Sequence, residues 1–175
     1  MLGRNVSNKK ASLIINVGSK DRRNPTTEVR GDFLFGLSRL GINTPPNAAT
    51  TVRVVGGFVS LDGSVFIKDA RRSVKIVVDN LPTTYVQTLQ CNCGPAGTVL
   101  GTVDFREQQT TFARIISGDQ PVIQLMSGVS LPDIRVRLLT SQNTIYEPAT
   151  DWHILLAFDT DEQVTADRII SAVTS

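Results

Sequence analysis

The chain's 175 residues are enough for one well-buried core and short for two, since a domain of this size hides roughly 70% of the surface its unfolded chain exposes. Apolar residues at 41% against 19% charged, with Thr, Val and Ile used heavily, exclude a disordered chain and leave a surface rich in uncharged polar groups. The net charge of +2 hides an asymmetry: residues 1–30 hold seven basic residues (Arg4, Lys9, Lys10, Lys20, Arg22, Arg23, Arg30) against Asp21 and Glu28, while the rest has eleven basic and fourteen acidic residues.

In chain order, Ser12-Leu13-Ile14-Ile15-Asn16-Val17 is a short apolar run that suits a strand, and residues 19–30 read as irregular chain. Residues 32–40, with Phe33, Leu34, Phe35, Leu37 and Leu40, fit either a strand or a short helix. Asn43-Thr44-Pro45-Pro46-Asn47 is a loop, because paired prolines remove two backbone donors and fix φ. Asp62-Gly63 stands between residues 58–61 and 64–67 and predicts a β-hairpin, since Asp-Gly readily takes the positive φ angles of a two-residue turn. Val74, Ile76 and Val78 alternate with Ser73, Lys75 and Asp79, predicting a strand with one buried face.

Further strands are predicted over 84–91, 98–105, 110–116, 121–126 and 134–140, the last with Ile134, Val136 and Leu138 facing away from Arg135 and Arg137. The two arginines read as a solvated strand face. Residues 152–158 are nearly continuously apolar, as in a central strand buried on both faces. The period then changes: Ala166, Ile169, Ile170 and Val173 give one apolar stripe at helical spacing, with Asp159, Thr160 or Asp161 as candidate caps. Nine or ten short strands with turn signals every 8 to 12 residues are the spacing of an all-β sandwich or barrel, and a two-sheet antiparallel sandwich with a short C-terminal helix is the expected fold.

Catalytic equipment is sparse. His153 is the single histidine, which removes every two-histidine metal site. Cys91 and Cys93 are one residue apart; a bridge between them closes too tight a ring, so free thiols and a reducing compartment are expected. Gly94, Gly97 and Gly101 are spaced for turns, with no following Lys-Ser or Lys-Thr to cradle a phosphate. Asp159, Asp161 and Glu162 form an acidic cluster whose simplest role is capping the predicted helix rather than holding Ca²⁺. No enzyme activity, cofactor or bound metal is expected. No run of about 18 apolar residues spans a bilayer, and residues 1–30 lack the apolar core of a secretory signal.

In layout, a basic leader containing Arg4 to Arg30 followed by a Thr- and Val-rich strand domain from Val52 to Phe158, the chain resembles the small single jelly-roll coat proteins of icosahedral plant viruses and satellite viruses. That resemblance implies a basic N-terminal arm over residues 1–30 and a jelly-roll shell domain over 31–175. It also implies many copies closing a virion shell around nucleic acid, RNA favoured, assembled in the host cytoplasm. Arg4, Lys9, Lys10, Lys20, Arg22 and Arg23 are then the expected genome contacts, because phosphate binding needs only positive groups within reach. A surplus of five positive charges is modest for such an arm, which leaves threading into a neighbouring subunit as its other use. A β-rich helical tube such as a phage tail, and a β-sandwich binding module, are the competing readings. One Trp and two Tyr give the binding module little material for an aromatic platform.

Overall fold

The computed structural model describes residues 9–60, 73–84, 97–105, 112–115, 118 and 120–162, with Lys9, Lys10, Phe112 and Glu162 described by their backbone. Among these residues nine strands follow in order: β1 (Lys9–Gly18), β2 (Asp32–Phe35), β3 (Ala48–Ser60), β4 (Ser73–Asp79), β5 (Thr98–Asp104), β6 (Phe112–Arg114), β7 (Ile123–Gln124), β8 (Ile134–Thr140) and β9 (His153–Glu162). They form two antiparallel sheets, one ordered β1-β9-β3-β6 with the short β7 also on β3, the other β2-β8-β4-β5. The pairing is nested: β1 lies on β9, β2 on β8, β3 on β6 and β4 on β5. Successive pairs fall on alternate sheets, and β9·β3 and β8·β4 ladders join them within each sheet.

Period-two alternation puts one row of apolar side chains from each strand between the sheets. Ile15 and Val17, Val52 and Val54, and Ile154, Leu156 and Phe158 come from the first sheet. Phe33 and Phe35, Val74, Ile76 and Val78, and Ile134, Val136 and Leu138 come from the second, so residues expected to face away from Arg135 do so. Each fully buried Val, Leu or Ile contributes about 1.5–3 kcal/mol relative to exposure, which makes this two-sided layer the main source of stability. The large aromatics inside it keep their polar ends bonded. Trp152 Nε1 donates to the Arg30 carbonyl at 2.7 Å, and Tyr146 Oη donates to the Ser60 carbonyl at 2.8 Å.

Residues 32–40 resolve as both predicted options in turn: β2, then a 3₁₀ turn over Leu37–Leu40. In β3 the register to β9 shifts between Val54 and Gly56, a bulge that precedes Gly57 at φ +132°. A Cβ on Gly57 would sit 2.3 Å from the His153 carbonyl oxygen, so only glycine lets β3 and β9 approach this closely here.

Two expectations are corrected. Arg137 is fully buried, not solvated: it is paired to Asp79 at 2.6 Å on the outer face of the second sheet. Alternation located the side of the strand but carried no information about what covers that side. Asp159, Thr160 and Asp161 are strand residues of β9, not helix caps, because the ladders with β1 and β3 run on to Glu162. Asp159 instead accepts from Arg53 Nε at 2.9 Å, on a diagonal across the ladder, and from the hydroxyl of Ser12 directly opposite, tying β1, β9 and β3 together. The predicted Asp62-Gly63 turn with residues 64–67, the strand over 85–91, and the helix over 166–173 lie outside the described residues.

Candidate nucleic-acid interface

The described part of the basic leader lies on the sandwich. β1 pairs with β9 through all ten of its residues, which puts Lys9 and Lys10 in register with Glu162 and Asp161. An extended strand rises about 3.3 Å per residue, so the chain travels roughly 27 Å between Lys10 and Gly18. It then enters a 3₁₀ turn over Ser19–Asp21 that carries Lys20, followed by Arg22 and Arg23. The basic residues therefore form two groups at opposite ends of one edge strand. Arg4 lies outside the described residues.

The second group stands on a firmly held turn. Ser19 is buried; its amide donates to the Trp152 carbonyl at 2.9 Å, its hydroxyl donates to Asp151 Oδ1 at 2.9 Å and accepts from the Trp152 amide at 3.1 Å. Downstream, the Glu147 carboxylate accepts from the amides of Arg30 and Gly31, each at 3.0 Å. Lys20 is exposed on this turn and Arg22 is half-buried. Arg23 is 53% exposed and meets Asp133 at 3.0 Å. The Asp133 carboxyl is held below the ordinary carboxylate range, first by the Ser38 hydroxyl, then by the Ser38 amide, with Arg23 and Arg39 adding to them. It is thus a permanent anion at neutral pH and offsets part of Arg23's charge.

Three arginines elsewhere among the described residues are committed to ion pairs within the chain. Arg53 meets Asp159, Arg137 meets Asp79, and Arg135 grips Asp32 with two nitrogens at 2.6 Å each, which raises the Arg135 pKa above its ordinary value. A cleft of about 470 Å³ beside this last pair is lined by Glu28, Asp32, Asp79 and Arg135 among others. Its net negative lining does not suit a phosphate. Both Glu28 oxygens already accept from backbone amides, of Asn24 at 3.0 Å and Leu34 at 3.2 Å. Among the described residues no three His, Cys, Asp or Glu side chains are grouped to hold a metal ion. His153 is half-buried and its ring stands edge-on to Phe58, centroids 4.4 Å apart. Cys91 and Cys93 lie outside the described residues. No helix among those residues is long and apolar enough to cross a membrane.

Sequence reasoning named the basic residues but not their separation, which follows from β1 being extended. It also missed the anchoring of the turn by Ser19, for which the sequence carries no pattern. No protein-family model matches the chain, and no curated protein sequence matches it.

Proposed function

We propose that the protein is a non-enzymatic viral coat protein of the jelly-roll type, whose copies assemble into a shell enclosing nucleic acid, RNA favoured. The observation that carries the reading is the nested strand pairing. The pairs β1·β9, β2·β8, β3·β6 and β4·β5, alternating between two sheets, support a jelly-roll reading, an architecture used by viral capsid domains and also by lectin domains and cupins. Two further features favour a shell wall over a ligand-binding module. The single Trp is buried with its indole N–H bonded inside, so it is no part of a surface platform for a sugar. The chain is low in charged residues, at 19%, and neighbours cover a surface poor in charge with little ionic desolvation.

Lys9, Lys10, Lys20, Arg22 and Arg23, with Arg4, are assigned to nucleic-acid phosphates, each subunit adding a few charges to a collectively strong field. Size-exclusion chromatography with electron microscopy of the expressed protein tests the reading. Closed particles with an absorbance ratio at 260 and 280 nm characteristic of nucleic acid are expected. A protein that stays a single subunit at every salt concentration and pH, or that forms open tubes, refutes it.

A further inference from the structure

Among the described residues the four sheet edges are treated unequally. On β5, the Gln120 side chain closes the edge at Thr102, accepting from its amide at 2.9 Å and donating to its carbonyl at 3.2 Å. On β2, the Leu34 amide donates to Glu28 Oε1 at 3.2 Å and the Leu34 carbonyl accepts from the Arg23 amide at 3.0 Å. The edge strand β6 is three residues long, and β7 beside it two. Short strands and capped backbone groups are the usual protections against edge-to-edge pairing. The ten-residue β1 has neither: among the described residues its backbone bonds to β9 and to nothing else. It also exposes Leu13 by 46% and Ile14 by 60%, on its two opposite faces.

We infer that the open edge of β1 pairs antiparallel, about a two-fold axis at Ile14, with β1 of a second copy of this chain, and that this pairing completes the basic interface. The inference rests on the self-assembly reading above and names its contact. Four arguments select the second copy as the partner. A two-fold axis normal to the sheet keeps inner and outer faces continuous, so it sets Ile14 against its twin and Leu13 against the other copy's Ile15. Nine of its ten residues, Lys10 to Gly18, pair with the same nine of the other copy, and only Lys9 falls beyond the strand, opposite the Ser19 turn. Lys9 and Lys10 fall opposite Ser19 and Gly18 of the other copy and not opposite each other, so no like charges are placed directly across the ladder. Finally, the basic groups that stand roughly 27 Å apart in one subunit become neighbours: Lys9 and Lys10 of one copy lie beside the Ser19–Arg23 stretch of the other. Each end of the paired strands then gathers Lys9 and Lys10 of one copy with Lys20, Arg22 and Arg23 of the other into a basic patch, interrupted by Asp21 and flanked by Asp161 and Glu162, whose excess positive charge a polyanion neutralises.

Two substitutions test this in a Cys91→Ser, Cys93→Ser background, read by sedimentation, disulfide trapping and binding of a single-stranded oligouridylate. Ile14→Cys is expected to give a covalent dimer on mild oxidation at least ten-fold faster than Val122→Cys, a control that is 60% exposed on another part of the surface. Ile14→Lys is expected to weaken self-association at least ten-fold. It should also bind the oligouridylate about five-fold more weakly despite its added positive charge, because the patch is left divided. Its circular dichroism and melting temperature check that the fold is kept; if they are lost, the trapping rates alone decide. Trapping at the control rate, or oligouridylate binding by folded Ile14→Lys that matches or exceeds the parent, overturns the inference. If the parent still forms particles in that case, self-assembly stands and only the edge contact falls. A parent that is a single subunit throughout overturns both.

Discussion

Replacing Asp79 by Ala is the sharpest probe of what holds the second sheet together. Arg137 Nη2 lies 2.6 Å from Asp79 Oδ1, the arginine side chain is inaccessible and the carboxylate 7% exposed, so neither charge is solvated by bulk water. Gly97 makes room for the pair, since a Cβ there would lie 2.1 Å from the same carboxylate oxygen and 3.1 Å from Arg137 Nη2. Removing one partner of such a pair leaves a buried, uncompensated charge and costs about 3–5 kcal/mol, whereas replacing both by apolar residues of similar volume is often neutral. Asp79→Ala is therefore expected to lower the unfolding free energy by about 3–5 kcal/mol in urea titration. The melting temperature should fall by roughly 6–20 °C for a domain of this size. The double variant Asp79→Leu/Arg137→Met is expected within about 1 kcal/mol of the parent. Asp79→Ala within about 1 kcal/mol of the parent, or a double variant as damaged as the single, refutes the reasoning that the cost is an orphaned charge.

Gly57→Ala forces a methyl group into the His153 carbonyl and a side chain into a positive-φ conformation; a loss of about 2–4 kcal/mol is expected in the same titration, and a change below 1 kcal/mol contradicts the close approach of β3 and β9. Ser38→Ala removes the hydrogen bond that most lowers the Asp133 pKa, so an NMR titration should show that carboxyl rising toward its ordinary 3.8. The sign follows from linkage. A carboxyl with a depressed folded pKa stabilises the protein above its unfolded value, and that stability is lost as pH falls through the folded pKa, below about 3.8; the variant should have less acid-labile stability to lose. Neutralising Lys20 and Arg22 to Ala should reduce the slope of log affinity against log salt for single-stranded RNA by about 0.7 per residue, measured by fluorescence anisotropy, without changing the melting temperature. An unchanged slope removes them from the interface.

Local pattern carried the architecture a long way. The alternation at Val74, Ile76 and Val78 and at Ile134, Val136 and Leu138 reports burial of one strand face directly, because successive side chains point to opposite sides whatever the strand pairs with. The prolines at 45 and 46 likewise forced irregular chain through φ and the missing donors, independent of context. The positive charge of the first thirty residues was also plain, since charge is a property of composition. Everything that depends on partners distant in the chain was not. Asp159 reads as a helix cap from its neighbours, yet it bonds Arg53 and Ser12, 106 and 147 residues away. Arg137 alternates like a surface residue but meets Asp79 across 58 residues and is enclosed. The nested order of the strands, the place of β1 at the edge of its sheet among the described residues and the two-ended layout of the basic residues belong to the same class. They are set by which strands lie side by side, and hydrogen bonds between backbones are blind to residue type, so no local stretch records them.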